Sequence, residues 1–574
     1  MRNTLTLLQK FLFLKPVISR LVKLMTRRHK LLMLLMIILT IGFSLVETIG
    51  ISAIMPFISI VSDTELLNSG YYKTVFDFFG FDTAENFLIA FGIMIIVFYI
   101  LRGGYSVLLT YCNKRYSQGM YKYFSKKALK VNLSIPYKLF TQRNTGELIH
   151  SIGTETIEIG KVVTHLLNLC SEVFTILMIY TVIVILNWKM TVVITVILSV
   201  IVIVMLSVLT KVNSKQGKVK FTTGRKMTRI VKESLANIKY VKLKGNENDI
   251  INEYNKTLEI NARSGLITQV LNAVPKSILE SLGFSFLIAV VVLIIWLNND
   301  ASTVIPVISM YALALYRILP AIHRVLQEIN GIVYSEETLI RVYENIRQPV
   351  ETEGNTTVNF NHSIRLENIC FKYMTGSEVL SGISLEIKKG EKIAFTGESG
   401  GGKSTLIDII TGIHKPHSGT VYIDDVALND ENIRSWRKKI GYIPQGIYLF
   451  DGTVAENVCF GSVPDEEKLI IALKKANIWE FLSLKNGIET RVGDGGIQLS
   501  GGQQQRICIA RAIYNEPDVL VLDEATSALD NETEQKIMDE IYNVSANKTL
   551  IVIAHRLTTV ERCERRLIIN NGRI

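Results

Sequence analysis

Nine consecutive residues have the types and spacing of a phosphate cradle: Gly397, Glu398, Ser399, Gly400, Gly401, Gly402, Lys403, Ser404 and Thr405. Glycines let backbone N–H groups wrap an anion, Lys403 reaches the outer phosphates, and Ser404 ligates Mg²⁺. A strand-like segment, Lys392–Phe395, leads in, and a helix-like one, Leu406–Ile410, leads out. That context makes the match strong. A second constellation is Val519–Leu522, four apolar residues of a buried parallel strand, ending in Asp523 and Glu524. Asp523 is placed to help hold Mg²⁺, and Glu524 to polarise an attacking water. A third is LSGGQ at Leu499–Gln503, just ahead of a helix-like Gln504–Tyr514. Ser500 and the N–H groups of Gly501 and Gly502 would sit at that helix N-terminus, a ready anion site. No kinase or GTPase needs this second phosphate site.

Together these motifs identify the chain as resembling the ATP-binding cassette ATPases. The rest of that pattern is also present: Tyr373 at the adenine-stacking position, Gln445 in YIPQ, the SALD turn at Ser527–Asp530, and His555 in IAHR. The resemblance implies that two cassettes dimerise head to tail. Each ATP then lies between the P-loop of one and Ser500, Gly501, Gly502 and Gln503 of the other. It also implies that His555 contacts the γ-phosphate, and that Gln445 touches Mg²⁺ and couples to the membrane domain. ATP and Mg²⁺ are the expected cofactors. Lys403, Glu524 and His555 are the expected catalytic residues, and Ser404, Gln445 and Asp523 the expected metal ligands. One cassette in one chain completes neither site, so a homodimer is expected. Asp494 in VGDGG, where many relatives carry Glu, is a local departure that leaves the chemistry intact.

These motifs all lie in the C-terminal part of a 574-residue chain. That length exceeds one compact core. Mean hydropathy is +0.28. Apolar residues fall into six runs of spanning length: about Leu31–Val61, Phe87–Tyr111, Leu166–Trp188, Met190–Val212, Ile278–Leu297 and Val304–Leu326. Lys and Arg crowd the first 30 residues and the segments Lys114–Arg143 and Lys211–Arg263. The loop after the first span carries Asp63, Glu65, Asp77, Asp82 and Glu85 against Lys73. Both chain ends and the ATPase are therefore expected in the cytoplasm. The net charge of +11 follows the membrane segments and forms no isolated patch, so no nucleic acid is expected. Six cysteines without CxxC spacing point to reduced thiols.

The expected fold is a six-span α-helical transmembrane domain followed by an α/β P-loop ATPase. The expected bounds are 1–30 for an amphipathic surface helix and 31–335 for the transmembrane domain. A linker would cover 336–361 and the cassette 362–574. Leu67, Tyr71, Val75 and Phe78 recur at helical spacing, which predicts an amphipathic outer helix near 64–80. The spans continue as helices into the cytoplasm, with turns near Pro136–Glu147 and Asn237–Glu247. Six spans ahead of a cassette resemble the type I (type IV) ABC exporters, whose coupling helices would be the tips near Phe140–Glu147 and Leu235–Gly245.

Three stretches, ETIGISAIMPFISI (47–60), AVPKSILESLGF (273–284) and ALYRILPAIHRV (312–325), resemble the PglK-type flippases of lipid-linked oligosaccharides in bacterial protein N-glycosylation. That resemblance implies a bacterial inner-membrane flippase of an undecaprenyl-pyrophosphate-linked oligosaccharide. Export of another anionic lipid, such as lipid A or a polysaccharide precursor, is the alternative. A gated channel or regulator is the alternative of another class, and two intact ATP sites argue against it. Intramembrane cations support an anionic headgroup independently. They are Arg102, Lys276, Arg317 and Arg324. At ~1.5 Å per residue, Arg102 and Arg317 lie roughly 20–23 Å deep. Lys276 and Arg324 fall near the inner interface. Charges at such depth usually face a water-filled cavity. Snorkelling is the competing reading, as is internal pairing with Glu47, Glu172 or Glu280.

Overall fold

A computed structural model describes residues 14–574, except 63, 65, 66, 68, 69, 82, 187, 299–304, 374, 375, 524–530 and 554–559. The chain forms two units, 1–133 with 143–348, and 134–142 with 349–574.

The first unit is helical. Helix α1 (Leu14–Leu24) precedes α2 (Arg27–Ser62), the short α3 (Gly70–Phe79) and α4 (Ala84–Ser134). After α5 (Tyr137–Phe140), which belongs to the second unit, come α6 (Thr145–His150), a π-helical turn at Ser151–Glu155, and α7 (Thr156–Leu186). Then follow α8 (Trp188–Ala236), α9 (Ile238–Lys244), α10 (Glu247–Asn298), α11 (Ile305–Tyr334) and α12 (Glu336–Ile346). Among the described residues, four stretches are long and apolar enough to cross a membrane: Arg27–Val61, Ala84–Ser134, Thr145–Ile185 and Leu198–Ala236. The fifth and sixth expected spans lie on α10 and α11, where many side chains fall outside the described residues. Helices of 51, 49 and 52 residues (α4, α8, α10) are about 75 Å long, against roughly 30 Å of hydrocarbon. They therefore project well beyond a bilayer, as their basic, Gly- and Pro-poor flanks predict.

Local chemistry sets the ends. Asn144 caps α6 by accepting from Gly146 N at 2.8 Å, and Gly245 ends α9 with a φ of 63°. The turn at Ser151–Glu155 is tied down by charge. Arg225 Nε donates to Glu155 Oε1 at 2.8 Å, and Arg225 Nη1 to Glu147 Oε2 at 3.1 Å. Residues 336–346, expected to open the linker, instead form α12. Leu339, Val342 and Ile346 are buried in one cluster with Val17, Leu21 and Leu24 of α1. An apolar stripe of that spacing needs a partner, and α1 supplies it. Helix α3 covers Gly70–Phe79 of the helix expected near 64–80, of which 65, 66, 68 and 69 lie outside the described residues, and Tyr72, Val75 and Phe76 pack on Ile60, Leu67 and Phe87.

The second unit holds two sheets. Strands β1 (Ser363–Lys372), β2 (Glu378–Lys388), β4 (Ser418–Ile423) and β5 (Val426–Ala427) form an antiparallel sheet in the order β2-β1-β4-β5. Strands β3 (Lys392–Thr396), β6 (Ile440–Ile443), β7 (Val519–Asp523), β8 (Thr549–Ile553) and β9 (Arg565–Ile568) form a parallel sheet in the order β6-β7-β8-β3-β9. β8 is buried throughout and β7 up to Asp523, the continuous apolar signature of central parallel strands. One core joins the two sheets through the helix Lys403–Ile410 and Trp436. The other lies on the far side, under the helix Gly501–Ile513 and the helical segments from Val454 to Ser483. Helix α5 packs on this unit. The Tyr137 ring lies 5.5 Å from that of His414, and Lys138 Nζ donates to Lys372 O at 2.6 Å.

Candidate active site

The parallel sheet puts the P-loop and the Asp523 strand at one edge, because β3 and β7 flank β8 and point the same way. Ligands of α/β sheets bind at that carboxyl edge. The loop between β3 and the helix Lys403–Ile410 turns through Gly397, Gly400 and Gly402, at φ 137°, 84° and 104°. A Cβ on Gly397 would lie 2.1 Å from Ile569 O, so only glycine fits there. Lys403 is buried, and its Nζ donates to the carbonyls of Gly397 (2.9 Å) and Glu398 (2.8 Å). Ser404 is exposed on the first turn of the helix. Thr405 is buried, and its hydroxyl lies 3.2 Å from that of Tyr373, which ties the adenine-stacking candidate to the P-loop helix. Asp523, ending β7, accepts from the Tyr442 hydroxyl at 2.7 Å. Gln445 is exposed just beyond β6. A glycine cradle, an ammonium at its floor, and a hydroxyl and carboxylate at the sheet edge fit Mg²⁺ and a nucleotide. Ser404, Asp523 and Gln445 would hold the metal, whose charge offsets that of the phosphates.

Glu524, Ser527–Asp530 and His555 lie outside the described residues. Ser500 is the N-cap of the helix Gly501–Ile513. Its Oγ accepts from Gln503 N, and Gln503 Oε1 accepts from Ser500 N at 2.9 Å. This capping box aims the first N–H groups of the helix outward. That helix packs in the second core and the P-loop helix in the first, so the two phosphate-binding elements belong to different lobes of one cassette.

Two residues were given no role by the motifs: Tyr442, although it opens YIPQ, and Asp408. Tyr442 steadies Asp523, and burial plus that hydrogen bond push its phenol upward. Asp408, on the P-loop helix, is pushed up to about 6, first by burial and then by the charge of Asp523. His414 Nε2 lies 3.8 Å from Asp408 Oδ2, yet burial and Lys138 lower the His414 pKa, so it is neutral at pH 7 and offsets little. A raised carboxyl pKa contributes stability that is complete below the unfolded value, near 3.9, and is lost as pH rises through about 6. Asp408→Asn removes that loss. In metal-free protein its melting temperature, relative to wild type, should rise between pH 4 and pH 7. A pH-independent difference would refute the account.

Two of the four membrane cations are paired. Arg102 Nη2 donates to Glu47 Oε1 at 2.7 Å, joining α4 to α2. Arg324 Nε donates to Glu172 Oε1 at 2.5 Å, joining α11 to α7. Internal pairing, one of the readings left open by the sequence, thus applies to both. Nearby, Glu328 pairs with His165 and accepts from Asn168 at 2.9 Å, a cluster that no sequence pattern signalled. Lys276 is exposed, with no ion pair among the described residues. Arg317 lies on α11, and its side chain is outside the described residues.

Comparison with known proteins follows the same division. The profile of the ABC transporter family matches residues 380–527, and that of the ABC transporter transmembrane region matches 31–319. An ATP-dependent lipid A-core flippase of Burkholderia thailandensis is 30% identical over 459 residues, covering 76% of this chain and 74% of the relative. The heterocyst differentiation ATP-binding protein HepA of Nostoc sp. is 30% identical over 450 residues, covering 76% and 72%. The structure of a bacterial Atm1-family ABC exporter with ATP bound is similar at a TM-score of 0.76 and 23% identity, covering 96% of this chain and 94% of that one. At that identity the likeness concerns the fold: a helical transmembrane domain with an ABC ATPase.

Proposed function

The chain belongs to the ABC transporters, membrane proteins powered by ATP hydrolysis, and from that premise we propose that it flips a phosphate-bearing lipid from the inner to the outer leaflet. The observation that carries this reading is the set of guanidinium groups within the spanning helices, Arg102 on α4 and Arg324 on α11. Lys276 and Arg317 on α10 and α11 extend the set. Arg suits phosphate because its planar fork bonds two oxygens at once. Such charges are costly in hydrocarbon and are retained where an anion passes. The lipid A-core flippases among the relatives carry a substrate of this class.

The cycle runs in three steps. Two copies of the chain close their cassettes on two ATP molecules, each between one P-loop and the other copy's Ser500 helix. Helices α5 and α9 pass the closure to the spanning helices. The cationic wall then presents the headgroup outward, while the lipid tail stays in the bilayer of the bacterial inner membrane.

A second reading names the substrate as an undecaprenyl-pyrophosphate-linked oligosaccharide. It is favoured by stretches 47–60, 273–284 and 312–325, which include Glu47, Lys276, Arg317 and Arg324. Purified protein in liposomes, given fluorescent lipid A or fluorescent pyrophosphate-linked oligosaccharide, decides between them. ATP-dependent leaflet transfer of lipid A alone supports the first reading in its narrow form, and transfer of the oligosaccharide lipid alone supports the second. Transfer of neither would overturn the proposal.

A further inference from the structure

Two carboxylates in the spanning helices hold the arginines assigned to the headgroup. The Glu47 and Glu172 side chains are only 10% and 16% exposed. Arg102 Nη2 meets Glu47 Oε1 at 2.7 Å, and Arg324 Nε meets Glu172 Oε1 at 2.5 Å, the latter a single contact among the described residues rather than a two-bond fork. Arg102 Nε and Glu172 Oε2 are both buried, without a hydrogen-bond partner among the described residues. Hydroxyls on α2 and α7, the helices that carry Glu47 and Glu172, are spent elsewhere. Ser44 Oγ donates to Thr40 O and Ser171 O, and Thr175 Oγ1 donates to Ser44 Oγ. The Arg102 guanidinium lies 6.0 Å from the ring centre of Phe43 and 5.7 Å from that of Tyr99, which keeps it in place without using its N–H groups.

Such an arrangement is half-satisfied. A buried donor or acceptor without a partner is costly, and a one-bond ion pair recovers its desolvation poorly. A phosphate group brings more oxygens than a carboxylate and fits the guanidinium fork better.

We propose that Glu47 and Glu172 are displaceable counter-ions, which occupy Arg102 and Arg324 between transport cycles, yield them to a phosphate headgroup on entry, and expel it on their return. This inference rests on the reading of those arginines as headgroup ligands. A carboxylate tethered beside the site competes at high effective concentration, so it sets both affinity and release. It also sets specificity. Arg102 and Arg324, each held by a carboxylate, exert less pull on a zwitterionic phospholipid than free guanidiniums would, and a phosphate monoester or pyrophosphate carries the extra charge needed to exchange.

Wild type, Glu47→Gln and Glu172→Gln would be reconstituted in phosphatidylcholine vesicles. Lipid A and the pyrophosphate-linked oligosaccharide would be titrated separately. Glutamine keeps a carbonyl oxygen for the arginine, and each variant touches a different arginine, so the two are independent tests. Removing a competing negative charge should lower the lipid concentration for half-maximal ATPase stimulation about tenfold. Leaflet transfer at saturating lipid should slow, because the headgroup is no longer expelled. A merely structural role would raise the half-maximal concentration or leave it unchanged, and either result in both variants overturns the inference even if wild type flips the lipid. A shift with lipid A alone supports the inference and sinks the oligosaccharide reading. No stimulation by either lipid, in wild type and variants alike, overturns both inference and function.

Discussion

Glu524→Gln should leave ATP binding intact and lower hydrolysis by on the order of 10²–10⁴-fold. In the chain Glu524 comes directly after the metal-binding candidate Asp523, which ends β7 at the carboxyl edge of the parallel sheet. An amide in place of the carboxylate cannot accept the proton of the attacking water, while the cradle, Lys403 and Ser404 are untouched. Nucleotide affinity and phosphate release should therefore separate. Equilibrium binding of a labelled ATP, measured beside phosphate release, reads both. Normal turnover in the variant would refute the role, and loss of binding together with turnover would point to a damaged fold.

Gly397→Ala should abolish nucleotide binding, with an affinity loss above about 100-fold. Two costs combine. The backbone φ of 137° strains any residue with a Cβ, at about 1–3 kcal/mol. The added carbon would also lie 2.1 Å from Ile569 O, and that chain cannot retreat freely because Ile569 N donates to Thr396 O at 2.8 Å. Gly400→Ala makes an internal comparison. Its φ of 84° carries the strain, but nothing lies within 4 Å of the new carbon. It should therefore lose less affinity. A loss at Gly400 equal to that at Gly397 would show that backbone strain alone, and not the contact with Ile569, controls the loop.

The nucleotide chemistry was legible because its parts are short and local. A nine-residue cradle, a four-residue apolar strand before Asp523, and a capping Ser500 each carry their meaning within one turn of chain. Long apolar runs likewise predicted the spanning helices, since hydrocarbon thickness sets their minimum length. Less visible was anything that depends on which helix lies beside which. Leu339, Val342 and Ile346 looked like linker until α1 covered them. Asp408 carried no motif, and its titration was decided by Asp523 at the end of another element.

The membrane charges divide along the same line. The sequence by itself determined that arginines and glutamates would fall within or at the ends of apolar runs, because position along those runs is a property of the chain alone. It left open whether each arginine met water, lipid or a carboxylate. Only the tertiary structure decided that Arg102 pairs with Glu47, 55 residues away, and Arg324 with Glu172, 152 residues away. Helix packing chooses those partners, because a buried charge must be matched across whichever neighbour lies within hydrogen-bond reach, and that neighbour is set by the fold and not by spacing along the chain.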